Sequence, residues 1–148
     1  MNIKDKLYED LKVAMKNKDN ISKSTIQLIR AAVIKTEKDK QIQLDDYDVE
    51  EILMKERKNR LEEIAMFEKA NRLDLVENAY KELAVVNKYL PSTMSEDEVY
   101  EEVVKIVEEL NANSKMFGQV IGVAKARFGH RVDGKLLCNI IKEVLAKK

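Results

Sequence analysis

The chain has 148 residues, and its 27 lysines and arginines are balanced by 27 aspartates and glutamates. That length admits one domain or two small ones and excludes a large enzyme with separate binding domains. One cysteine, Cys138, excludes an intrachain disulfide and a multi-cysteine zinc site, and the single histidine, His130, excludes a His/Cys metal cluster. No metal and no cofactor are therefore expected.

Four glycines, one proline and no tryptophan, among abundant Glu, Lys, Leu, Ala and Val, predict an all-α protein. The first residues, MNIKDKLYEDLK, are charged throughout, and no apolar run reaches signal-peptide or membrane-spanning length. A soluble cytoplasmic protein with no membrane partner is expected.

Apolar residues recur at helical spacing along the chain, with no alternating run of strand length. The first helix, about 3–17, places Ile3, Leu7, Leu11 and Met15 on one stripe. The second, about 23–39, does the same with Thr25, Leu28, Ile29, Ala32 and Val33. Asp45 is an N-cap for a third helix, about 46–70, whose core face carries Val49, Ile52, Leu53, Ile64 and Phe67. Its exposed face is expected to hold Glu51–Lys55, Glu56–Arg60 and Glu68–Arg72 as i, i+4 pairs. A break at Asn71–Asp74 leads to a fourth helix that stops before Pro91. In YLPSTMSEDEV the only proline is followed by Ser95 and Glu98, a capping box that opens a fifth helix. That helix, about 96–111, buries Val99, Val103, Ile106, Val107 and Leu110. A sixth, about 115–128, holds Met116, Val120 and Val123, and a seventh, about 134–146, holds Leu137, Ile140, Ile141 and Val144. The expected organisation is an N-terminal domain of about four helices (1–90), a linker (91–95) and a small three-helix domain (96–148).

Charge is unevenly spread. Residues 1–90 carry 18 basic and 18 acidic side chains, residues 91–112 one against seven, and residues 113–148 eight against two. A local balance of −6 followed by +6 is a signal of partners.

The stretch GHRVDGKL (129–136) has the spacing of a phosphate-cradling P-loop, and three features argue against one. Leu136 stands where a magnesium-binding hydroxyl belongs, VAKARF before it reads as helix, and Asp133 as N-cap would place a carboxylate where phosphate should sit. Gly129 and Asp133 are instead explained as a helix end and a helix start. His130 between them reads as a solvated turn residue. Gly118 and Gly122, four apart on one face, would let another helix approach closely.

Lys125, Arg127, Arg131 and Lys135 fall within eleven positions around this corner, and Lys115, Lys142, Lys147 and Lys148 extend the same sign. Charge alone leaves two readings: a solvated face beside the acidic fifth helix, or a surface contacting a phosphate backbone. No catalytic constellation accompanies it. Serines sit at caps and linkers without a base, and Glu50–Glu51 and Glu62–Glu63 point apart on a helix. Three phenylalanines in apolar stripes make no base-stacking platform.

Four segments together, LYEDLKVAMKNKD, KERKNRLEEIAMFEKANRLDLV, YLPSTMSEDEV and FGQVIGVAKARFGHRVDGKLL, resemble the YqeY family along essentially the whole chain. A bacterial member is expected. The family is similar to the helical and tail domains of the glutamyl-tRNA amidotransferase B subunit, whose tail contacts tRNA while the chemistry lies elsewhere. The tail motif falls here on Gly118, Gly122, Lys125, Gly129, Arg131, Asp133, Gly134 and Lys135. Phe117 replaces an expected methionine, and His130-Arg131-Val132 replaces the commoner Gly-Arg-Ala. The resemblance implies a non-catalytic module binding tRNA or other structured RNA through Lys125, Arg127, Arg131 and Lys135. The alternative is an accessory factor in glutamine-dependent amide transfer, a carbon–nitrogen ligase reaction, acting with amidotransferase or aminoacyl-tRNA synthetase components.

Overall fold

A computed structural model describes residues 1–147. Among them seven α-helices and two 3-10 turns occur and no strand, so the all-α expectation holds. Contacts divide the chain into two compact units, Met1–Leu90 and Pro91 onward.

In the first unit the helices are α1 (Ile3–Lys16), α2 (Asn20–Lys40), α3 (Asp46–Lys69) and α4 (Leu73–Lys88). Each of the first three starts where a short polar side chain accepts a bond from the backbone. Asn2 accepts from the Asp5 N–H at 2.8 Å, Asp19 from Ser22 at 3.1 Å and Asp45 from Asp48 at 2.9 Å. The Asp19 cap starts α2 three residues before the position predicted from apolar spacing. Leu7, Ile26, Ile29, Val49, Leu53 and Val86 form the centre of the core.

Two expected core residues lie outside. Met15 and Leu28 are about half exposed, and Ala14 and Ile26 are buried in their place. An i, i+4 series drifts about 40° per step, so an i+3 step is needed to return to the core face. The chain takes that step from Leu11 to Ala14.

Of the pairs expected on the exposed face of α3, Glu56–Arg60 forms, but as part of a buried cluster. Arg60 is buried, only 8% exposed, between α3 and α4. Its guanidinium lies 3.3 Å from Glu56, 3.2 Å from Glu63 and 2.9 Å from Glu82 of α4. The Glu82 approach is to Nε but off the N–H axis, so it acts as a charge pair rather than a hydrogen bond. Arg72 pairs with Asp74. On the other side of the unit, Glu37 of α2 accepts from Lys4 of α1 at 2.8 Å and from the Leu44 N–H at 2.9 Å. These bonds hold its carboxyl below the usual range. Tyr89 donates to Asp10 at 2.5 Å, and burial followed by that carboxylate pushes its phenol well above the ordinary value.

The second unit contains α5 (Glu96–Leu110), α6 (Phe117–Phe128) and α7 (Gly134–Ala146). The expected capping box is formed: Ser95 Oγ accepts from the Glu98 N–H, and the Glu98 carboxylate reaches back to the Ser95 N–H. Val99, Val103, Ile106, Val107, Val120, Ala124, Leu137 and Ile141 make the core. Leu110, Met116 and Val123 are only partly buried against it. A 3-10 turn, Ser114–Met116, precedes α6, which begins two residues later than apolar spacing predicts. Met94 is buried in this core and its N–H donates to the Arg131 carbonyl at 2.8 Å, so the segment leading into α5 is part of the packing.

Arg60→Ala should destabilise the first unit by about 2 kcal/mol, because three carboxylates are left crowded and a buried stem is lost. Urea unfolding followed by circular dichroism measures this. A change below about 0.5 kcal/mol would mean the cluster is only a solvated set of charges.

Candidate nucleic-acid interface

The corner between α6 and α7 is built from one backbone constraint. Gly129 has φ +56° and ψ −131°, a conformation open essentially to glycine alone. Its N–H donates to the Lys125 carbonyl and closes α6. A 3-10 turn, Gly129–Arg131, follows, then Val132 in extended conformation with its side chain buried. Asp133 caps α7 by accepting from the Leu136 N–H. Leu136 is half-buried against the core. The P-loop spacing is thus a helix-turn-helix corner with a carboxylate at the helix start, and it forms no phosphate cradle. His130, expected to be solvated, is half-buried in the 3-10 turn.

The basic residues do not form one uniform patch. Lys125 and Lys135 are exposed, and neither makes an ion pair among the described residues. Arg131 is also exposed, but its Nε donates to the Ser92 carbonyl at 3.1 Å. With its own carbonyl bonded to Met94, this residue staples the corner to residues 92–94. Arg127 points toward α5. Its guanidinium meets Glu109 through two hydrogen bonds, at 3.4 and 2.5 Å. The pairing holds the Glu109 carboxyl below its ordinary range and raises Arg127 further. Residues two apart on a helix lie about 200° apart, so Lys125 and Arg127 occupy different faces of α6.

Lys142 and Lys115 do more than extend the charge. Lys135, Asn139 and Lys142 follow i, i+4, i+7 spacing and are all exposed along α7. The Lys142 ammonium lies 6.0 Å from the Phe117 ring centroid, at the edge of a cation–π contact. Lys115 is exposed in the turn just before Phe117. Lys147 is engaged with Tyr100 at 3.0 Å and with Glu143 at 3.5 Å. Lys148 lies outside the described residues.

Gly118 and Gly122 overturn the expectation of a close helix approach. Both are exposed, and a Cβ built on either meets no atom within 4 Å. The four-residue spacing defines a face but not the side of the helix that packs; here the core takes Val120 and Ala124 instead. Gly134, in the first turn of α7, likewise has open space around it. Among the described residues no cluster of His, Cys, Asp and Glu could hold a metal, and no helix is long and apolar enough to cross a membrane.

The Yqey-like protein family model matches residues 4–145, and the chain belongs to that family. Two fungal relatives carry the name "Altered inheritance of mitochondria protein 41, mitochondrial". The one from Pyrenophora tritici-repentis is 31% identical over 147 residues, covering 97% of this chain and 81% of the relative. The one from Clavispora lusitaniae is 32% identical over 109 residues, covering 72% of this chain and 64% of the relative.

Gly118→Ala and Gly122→Ala should each stabilise the protein by about 0.5–1 kcal/mol, since alanine favours a helix and meets nothing there. Gly129→Ala should destabilise it by about 1–3 kcal/mol. Thermal melts of the three variants would show opposite signs; destabilisation at all three would mean that the glycine face is packed.

Asp133→Ala should destabilise by about 1 kcal/mol through the lost cap, while Lys135→Ala should leave stability unchanged. ATP or GTP with magnesium should not raise the melting temperature. Saturable nucleotide binding abolished by Lys135→Ala would restore the P-loop reading.

Proposed function

We propose that this Yqey-like protein is a non-catalytic module that binds structured RNA, foremost tRNA, through the basic side of its second unit. The observation that carries this reading is segregation of charge. Exposed Glu96, Asp97, Glu101 and Glu108 lie along α5, while Lys115, Lys125, Lys135 and Lys142 project from α6, α7 and the turn before α6. Cations with no carboxylate partner among the described residues are available to release counterions from a phosphate backbone, which is the driving force of such binding. Arg131 adds its charge from a backbone-anchored position. Gly118 and Gly122 leave the helix surface bare between Lys115 and Lys125, so a bulky backbone meets little steric obstruction there. With few aromatics, recognition proceeds by phosphate charge and RNA shape rather than base stacking. The resemblance to the amidotransferase tail supports tRNA over other RNAs.

A second reading has its own observation. The exposed carboxylates of α5 form a surface complementary to a basic protein, as an accessory role in glutamine-dependent amide transfer requires. Amidotransferase or synthetase subunits would then be the partners. The bacterial origin expected from the resemblance and the cytoplasmic setting expected from the charged first residues both stand against the printed name of the fungal relatives, which points to mitochondria. Co-purification from cells separates the two partner readings: tRNA in one case, amidotransferase subunits in the other.

The direct test is tRNA binding by fluorescence anisotropy across a salt series. Neutralising about four phosphates gives a slope of roughly −3 to −4 in log affinity against log salt. Each of Lys125→Ala, Lys135→Ala and Lys142→Ala should flatten the slope by about one unit without lowering the melting temperature. Weakening should be similar across tRNA sequences. A slope unmoved by all three substitutions would make the basic side a solvated face and leave the accessory reading in its place.

A further inference from the structure

Arg127 stands apart from the other cations of the corner. It sits in the last turn of α6, one helical turn before Arg131 and two before Lys135 in the chain, yet it is held by a carboxylate from α5. Glu109 engages it with both oxygens, one to each terminal nitrogen. A phosphate group meets a guanidinium in the same two-bond, fork-to-fork manner. Glu102 adds further attraction to Arg127, and Lys105 steadies Glu109. Both partners remain about half exposed, so water and a ligand anion can reach the pair. Such an exposed pair is weak enough to be displaced.

We propose that Glu109 is an internal competitor for the RNA surface: it occupies the phosphate position on Arg127, and bound RNA exchanges a phosphate for that carboxylate. This rests on the RNA-binding reading above. Lys125, Lys135 and Lys142 take the first phosphates; Arg127, on another face of α6 at the α5 seam, extends the surface only when Glu109 is released. The exchange makes affinity depend on the α5–α6 pair as well as on total charge. Glu109 acts here as a positioning residue, through Arg127 and not by touching RNA.

The test is a double-mutant cycle on the full chain, using Glu109→Gln, Arg127→Ala and both together, with tRNA anisotropy as the readout. Heparin serves as a shapeless polyanion, and melting temperatures confirm folding. Glu109→Gln should tighten tRNA binding about twofold to fivefold. That gain should vanish in the Arg127→Ala background, because the competitor then has nothing to compete for. Arg127→Ala alone should flatten the salt slope by about one unit. Glu108→Gln, the same change of charge at the neighbouring exposed acid, should shift affinity equally whether Arg127 is present or absent.

An equal gain from Glu109→Gln in both backgrounds would reduce Glu109 to long-range repulsion and overturn the proposal. So would an unchanged slope in Arg127→Ala, which would leave the pair as a structural tie between α5 and α6. Binding neither to tRNA nor to heparin would fail earlier, at the reading on which the exchange rests, and would remove both.

Discussion

The conformation of Gly129 governs everything placed at the C-terminal corner. Ending α6 at φ +56° and ψ −131° turns the chain so that Val132 enters the core and Asp133 reaches the start of α7. A residue with a Cβ is strained there, and relief would require a different exit from α6. The carbonyl and Nε of Arg131 then meet Met94 and Ser92, which fixes the segment opening α5 to the corner. One glycine therefore sets the relative positions of three helices. Lys125 and Lys135 contribute little to stability: they are exposed, and neither charge is paired among the described residues.

The three-helix unit is small, so few residues can be spent on anything but its core. Its solution is to divide its surface by sign. The acidic residues crowd α5, where Glu96, Asp97 and Glu98 also favour the positive end of the helix dipole. The basic residues occupy α6 and α7, and the Arg127–Glu109 pair joins the two signs across the α5–α6 seam. With a Debye length of about 8 Å at physiological salt, exposed charges farther away than that are largely screened from an anion on the lysine side. Local charge, and not the net charge of zero, governs an approaching polyanion.

Much of the fold was legible because its signals are local. Asp45, Ser95 and Asp133 cap their helices within three residues of themselves, and Pro91 marks the end of the first unit without reference to distant contacts. Val99 through Val107 and Leu137 through Val144 sit where a 3.6-residue period puts them. Failures came where geometry must be summed or partners are remote. Met15 lies outside the core because a run of i+4 steps drifts past the helix's core face. Spacing makes Arg60 a surface partner of Glu56, since nothing local reveals that Glu82, 22 positions later, closes over it. Glu109 lies 18 positions from Arg127 and Ser92 lies 39 from Arg131, so spacing alone presents four equivalent cations where two are engaged. The fact that positions 125 and 127 face apart was available from helical geometry alone.

Gly118 and Gly122 show where physical reading of spacing needs the fold. Glycine in a helix interior costs about 0.5–1 kcal/mol relative to alanine, and the usual compensation is a neighbouring helix drawn close. Here no neighbour comes within 4 Å of either missing Cβ, and neither residue has the positive φ that would require glycine. The stability forgone at the two positions has no return inside the unit. What the absence of side chains does provide is an exposed helical backbone flanked by Lys115 and Lys125. If RNA lies there, the benefit appears in the complex and not in the free protein. Placing alanine at these positions then separates two quantities that usually move together. Folding stability should rise, while larger side chains such as leucine should keep the fold and push the phosphate backbone away from the helix.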